Sequence, residues 1–228
     1  MRLVSALLVK DEADRYLRRV IARCQEFSDK VLVLDDGSTD DTARVAKEMG
    51  CLVKQRSQPG AWGNEAPARA ELWDRAAKCA GPDGWVLFCD ADMLLVGDPR
   101  PLCRSWDVNA WAFVLYDLWS ETEYRSDGFW KAHEHPRPWL VRPGASWAEY
   151  SAFVGRGIHA GHIPPGFPLH PAVAPQDAYH WLHLAYCKKP DRLLKFERYK
   201  TVWSQLNEFE QRHAASIIDG DSHVGAAP

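Results

Sequence analysis

No run of apolar residues in this 228-residue chain approaches the roughly 20 needed to cross a bilayer as a helix. The N-terminal residues lead into a β-capable segment with no h-region or cleavage site, so no signal peptide is expected. Charge of one sign is also lacking. The formal net charge of −3 excludes a strongly basic nucleic-acid binder by bulk electrostatics, although one basic groove could still suffice for DNA. The one basic run, "KKPDRLLKFERYK" (188–200), reads as the solvated face of a helix. Six cysteines stand at 24, 51, 79, 89, 103 and 187, and none forms a C-x-x-C pair, so zinc-ribbon and dithiol redox motifs are missing. Several lie in apolar runs and read as small buried hydrophobes. Internal repeats and linkers are absent too. These absences leave a soluble, reduced, cytoplasmic globular protein as the expectation, with attachment to a membrane surface left open.

What the chain has is alternation. "RLVSALLVK" (2–10), "KVLVLDDG" (30–37), "CLVKQ" (51–55) and "WVLFCD" (85–90) are apolar and read as strands. Between them, 11–27, 38–50 and 67–80 carry apolar residues at helical spacing. Ser38 to Asp41 suggests a capping box for the second helix, and Gly50 its stop. This βαβαβαβ order predicts an α/β fold, a mostly parallel sheet with helices on both faces. Right-handed crossovers would place the strand C-termini along one edge, where ligands of open α/β sheets bind. Beyond residue 100 the pattern loosens. Short strands are expected within 109–130 and 136–144, loops over 145–180, and a long helix over 190–215. Of the eleven tryptophans, eight lie after residue 100, as core or as flat platforms for a sugar or peptide.

Two acidic turns carry the chemistry. "WVLFCDADMLL" (85–95) ends an apolar strand in Asp90 and Asp92. Carboxylates that converge in a turn repel unless a cation lies near them. A divalent ion takes such hard oxygen ligands and commonly bridges a diphosphate. A plain polar turn is the alternative. In "LDDGSTDDT" (34–42), Asp35 and Asp36 end another strand before Gly37. An acid there can accept from a base N–H or a ribose hydroxyl. Capping accounts for Ser38 and Asp41 but does not require the doubled Asp.

Together these stretches resemble family 2 glycosyltransferases of GT-A fold. "LLVKDEADRYLRRVIARCQEFSDKVLVLDDGSTDDT" (7–42) is similar to the family's opening, and "WVLFCDADMLL" to its metal-binding D-x-D strand. "APARAELWDRAA" (66–77) stands where the family has an Ala-Arg-Asn helix start; Arg69 matches the Arg, and Ala70 replaces the Asn. "YHWLHLAYCKKPDRLLKFERYK" (179–200) resembles the late H-L-x-Y segment and its following helix.

The resemblance implies a nucleoside-diphosphate sugar donor, Mn²⁺ or Mg²⁺, and transfer with inversion to a hydroxyl-bearing acceptor. Asp36, with Asp35, would contact the base. Val9 and Glu12 would line the nucleotide pocket. Asp90 would sit near the ribose or donor sugar and Asp92 on the metal, with His183 completing the metal site. For His183 a packed core histidine is the alternative, and His180 is its neighbouring competitor. The acceptor is open: a saccharide, a lipid-linked saccharide, a peptide, a small molecule or modified DNA.

Inverting transfer also needs a base. One subgroup of the resembled family carries W…G-x-H-E where this chain has "WAEYSAFVGRGIHAGHIP" (147–164). His159 matches, while Ala160 replaces the Glu. The candidate bases are Glu149, His159 and Asp127, the last within "YRSDGFW" (124–130). Residues 1–215 read as one domain, with a nucleotide-binding half (1–97), an acceptor half (98–215) of small mixed β structure ending in a C-terminal helix, and a mobile tail (216–228). Two rivals remain. A haloacid-dehalogenase-like phosphohydrolase would use Asp90 as nucleophile, but the Thr of its motif is missing. A non-catalytic sugar- or nucleotide-sugar-binding relative would need no base.

Overall fold

A computed structural model of the chain describes residues 1–150, 153, 160–219 and 224–228. Two compact units emerge, and each is built from more than one stretch of chain. Unit 1 comprises Met1–Asp92, Asp98–Ala112 and Arg137–Ala174; unit 2 comprises Met93–Gly97, Phe113–Pro136 and Pro175–Pro228. These boundaries cut across the division expected at 97/98.

Unit 1 is organised by strands β1 (Leu3–Val9), β2 (Lys30–Asp35), β3 (Leu52–Gln55) and β4 (Trp85–Asp90). β1 pairs in parallel with β2 on one side and with β4 on the other, and β2 pairs in parallel with β3. The sheet grows past β4 through β9 (Arg137–Val141), β6 (Ala110–Phe113) and β10 (Pro171–Val173), in the order β10-β6-β9-β4-β1-β2-β3. β9 runs antiparallel to β4. The Pro-bounded segment thus joins the main sheet, and part of the stretch expected as loops supplies an edge strand.

Alternation along the strands sends side chains to two faces, and both faces are covered. Val4, Ala6, Leu34, Val86 and Phe88 form a core with Leu72, Trp73, Ala76 and Ala80 of helix α3 (Ala66–Ala80). α3 follows from an alanine-rich segment with Pro67 in its first turn, and it stops at Gly81, whose φ is 80°. On the opposite face, Cys89 meets Cys24 of helix α1 (Leu17–Gln25), with their Sγ atoms 3.9 Å apart. Helix α2 (Thr42–Glu48) packs beside β3.

Several boundaries differ from the sequence reading. α1 starts at Leu17, not at residue 11, because residues 11–13 spend their amides elsewhere. The Asp11 amide donates to Ser38 Oγ (2.9 Å), that of Glu12 to Thr42 Oγ1 (2.7 Å) and that of Ala13 to Asp40 Oδ2 (3.1 Å). α2 lacks the expected capping box: it begins at Thr42 without a side-chain cap, and Ser38 serves the turn.

Unit 2 holds a three-stranded mixed sheet in the order β5-β11-β7: β5 (Met93–Val96), β11 (His180–His183) and β7 (Leu115–Asp117). The expected long helix over 190–215 is two helices, α4 (Lys189–Lys200) and α5 (Glu208–Ser216). The break has a local cause. Asn207 accepts from the Glu210 amide while the Glu210 side chain accepts from the Asn207 amide, a reciprocal cap that starts a new helix. The expected tail over 216–228 contributes strand β12 (Val224–Ala226), antiparallel to β8 (Glu123–Arg125). Among the described residues no helix is long and apolar enough to cross a membrane.

Candidate functional site

The parallel register fixes where the acids lie. Val9 of β1 is level with Asp35 of β2, and Leu8 is level with Asp90 of β4. Both acids therefore end strands that flank β1 on the same rim of unit 1. Two strand spacings of about 4.8 Å separate them.

At the β4 end, Asp90 keeps 38% of its side chain exposed. Arg69, from the first turns of α3, reaches it with Nη2 at 3.4 Å from Oδ1. The same guanidinium engages Glu65 through Nε at 3.2 Å and His162 Nδ1 through Nη1 at 3.0 Å. Arginine has only donors, so His162 Nδ1 must accept, and the ring proton resides on Nε2. Nε2 lies 3.9 Å from Asp90 Oδ2. Burial, and then the Arg69 charge, lower the His162 pKa from 6.5 to about 3, against a smaller opposing pull from Asp90. The ring rests against Phe88 (centroids 6.2 Å apart) and Trp139 (4.4 Å).

At the β2 end both carboxylates are closed in. Asp35 is fully buried; Ser38 Oγ donates to it, as does Gln55 Nε2 at 3.2 Å. Asp36 is 1% exposed, pairs with Arg56, and accepts from the amides of Gly60 (3.0 Å) and Ala61 (2.7 Å). The turn requires Gly37: its φ is 72°, and a Cβ there would lie 2.7 Å from Pro59 Cβ. Glu12 is buried and its Oε1 accepts from Arg15 at 2.7 Å. The Val9 carbonyl accepts from the Asp36 amide at 2.9 Å.

Asp92 is buried in the turn after β4, and Met93 begins β5. Within unit 2, the ladder pairs Met93 with His183 of β11. His183 Nδ1 is 2.7 Å from Asp117 Oδ1 at the end of β7. His180 behaves differently: it is buried, its Nδ1 lies 2.9 Å from the Gln176 carbonyl, and its ring meets Tyr116 edge-on. Among the described residues, no group of three or more His, Cys, Asp or Glu is arranged to hold a metal ion.

Residues 8–98 match the profile of glycosyl transferase family 2. An uncharacterized protein of Mycobacterium tuberculosis is 28% identical over 209 residues, covering 86% of this chain and 49% of its own length. An uncharacterized glycosyltransferase of Rickettsia typhi is 29% identical over 92 residues, 40% of this chain and 28% of that one. Among solved structures, S. aureus TarS (1–349, in complex with UDP) superposes with a TM-score of 0.54 at 14% identity, covering 96% of this chain and 70% of that one.

Residues 8–98 are thus a glycosyl transferase family 2-like region.

The fold is the GT-A type, and the structural likeness runs through both units. The chain spans about half the length of the mycobacterial relative it matches.

The expected residues sort by environment. Arg69 and Asp90 meet, and Asp35 shares their rim. Asp35 and Asp36, expected at the base, turn their carboxylates to the protein's own donors. Of the expected bases, Glu149 is exposed on a 3₁₀ turn of unit 1 (Trp147–Tyr150). Asp127 is bound in unit 2 by Arg125 at 2.5 Å, whose guanidinium stacks on Trp119 and Trp130. His159 lies outside the described residues. Sequence reading missed His162, Asp117 and Arg56. His162 stands three residues after His159 in the same quoted stretch, but 93 residues separate it from Arg69, so only tertiary contact reveals it.

Proposed function

We propose that the protein transfers a glycosyl group from a nucleoside-diphosphate sugar to a hydroxyl-bearing acceptor, with inversion and with Mn²⁺ or Mg²⁺ bound. The observation that carries this reading is the rim of unit 1. There, within the stretch that matches family 2, Asp90 stands half-open at a strand end with Arg69 beside it. A cation fixed next to a carboxylate suits a ligand with both hydroxyl and phosphate groups.

Asp92 would hold the metal, as the family resemblance implies. The residues fit a divalent ion. The His183 Nδ1 contact with Asp117 orients the ring, as is common for metal-ligating histidines. When bound, the ion would neutralise charge on the leaving diphosphate. Asp90 would accept from a donor hydroxyl, and Arg69 would add positive charge at the same rim. The nucleotide base would lie against Val9 and Glu12. Asp36 would act on it through the segment whose Gly60 and Ala61 amides it fixes. Glu149, the exposed member of the base candidates, would take the acceptor proton. The family match favours transfer over phosphomonoester hydrolysis at Asp90.

A thermal-shift panel of UDP-, GDP-, dTDP- and CDP-sugars, with and without Mn²⁺, tests the reading. S. aureus TarS, of the same fold, was solved with UDP, so UDP-sugars come first. One nucleotide is expected to raise the melting temperature by mass action, more so with Mn²⁺. Asp92→Asn is expected to abolish the Mn²⁺-dependent part. An unchanged metal response in that variant removes Asp92 from the site, and a flat panel for the wild type ends the reading.

A further inference from the structure

We propose that His162 is a specificity-determining residue of the donor site, which it forms together with Asp90 by bridging them through one sugar hydroxyl. This rests on the nucleotide-sugar reading above and adds a contact to it. The imidazole is nine-tenths buried. Its orientation is set on three sides: Arg69 donates to Nδ1, Phe88 packs one face, and Trp139 leans on the ring. The proton is thereby confined to Nε2, which has no hydrogen-bond partner among the described residues. At 3.9 Å the Asp90 carboxylate is too distant for that N–H to bond it directly.

A hydroxyl closes that gap. It accepts one hydrogen bond and donates another. An oxygen about 2.8 Å from each partner satisfies both, receiving from Nε2–H and giving to the Asp90 carboxylate. A ligand without the hydroxyl would leave the Nε2–H without an acceptor, which is how hydrogen-bonding sites reject deoxy analogues. Arg69 links the pair by contacting both, so ring and carboxylate form one rigid reader. The hydroxyl could belong to the nucleotide ribose or to the transferred sugar, and the two sources are separable.

The experiment is calorimetric titration, with Mn²⁺ present, of the wild type, His162→Ala and His162→Gln. The ligands are UDP, GDP, dTDP and CDP and their glucose conjugates. His162→Ala is expected to bind the recognised conjugate about tenfold more weakly. Undiminished affinity for the free diphosphate assigns the hydroxyl to the transferred sugar; equal weakening of both assigns it to the ribose. His162→Gln, which keeps an N–H at the Nε2 position, is expected to recover most of the loss. Two outcomes overturn the inference while leaving the donor reading intact: wild-type affinity in His162→Ala, or no recovery in a His162→Gln that melts like the wild type. A wild type that binds none of these ligands overturns both.

Discussion

At the end of β2, Asp35 and Asp36 are 0% and 1% exposed and are surrounded by donors from the chain itself. At the end of β4, on the other side of β1, Asp90 keeps 38% of its side chain exposed beside a shared arginine. In the sequence both are strand-terminal acids followed by a turn. The difference comes from what the following segments bring back. After β2 the chain returns Gln55, Arg56 and the amides of Gly60 and Ala61 to the carboxylates, and burial becomes tolerable because each charge is hydrogen-bonded. After β4 a cation and a neutral imidazole come to the rim, and Asp90 stays 38% exposed. The first turn closes its acids inside the structure; the second leaves its acid partly open.

The sharpest test removes the closed acid. Asp36→Ala leaves the buried Arg56 with only the longer Glu71 contact at 3.4 Å and strands two amides, and it is expected to cost about 3–5 kcal/mol in urea unfolding. A cost below 1 kcal/mol would erase the contrast between the turns. Gly37→Ala is expected to destabilise by about 1–3 kcal/mol, since it puts a Cβ at positive φ against Pro59. An unchanged unfolding midpoint would mean the 57–61 segment yields easily.

A pH series sharpens the β4 side. His162 is neutral in the folded chain, its pKa lowered to about 3 by burial first and Arg69 second, whereas the unfolded chain protonates it near 6.5. The unfolded state therefore binds more protons between these values, so stability is full above about pH 6.5 and falls as pH drops toward 3. At pH 5 the loss is about 2 kcal/mol. His162→Gln is expected to flatten this acid limb, read by the urea midpoint from pH 7 to pH 4.5; a limb of unchanged slope would assign it to other groups. The smallest stability effect belongs to Asp90→Asn, about 1 kcal/mol or less, because its partner Arg69 keeps Glu65 and His162. The same variant is expected to abolish nucleotide-sugar binding in the thermal-shift panel. Normal binding would move the ligand away from this rim.

Much of unit 1 was legible in the residues. Strand periodicity and the βα alternation require only local information, and they placed Asp35 and Asp90 at one edge. The Asn207–Glu210 cap was equally local, yet the helical pattern on both sides masked it. Other features were not legible at any window length. β9 enters the main sheet from a Pro-bounded segment, and the 216–228 stretch returns as a strand, because pairing partners are chosen by the assembled sheet. The donors that close Asp36 lie 20 to 25 residues away, and Arg69 and His162 are 93 apart.

By itself, the sequence determined the parallel sheet, the rim on which its acids end and the family 2 character of residues 8–98. These follow from side-chain periodicity and from short motifs, each contained in a single stretch of chain. Tertiary structure alone decided which acids are sealed and which stay open, and which histidine stands at Asp90. Those outcomes depend on hydrogen-bond donors and aromatic rings delivered from distant segments, and a carboxylate's environment is the sum of what folds against it.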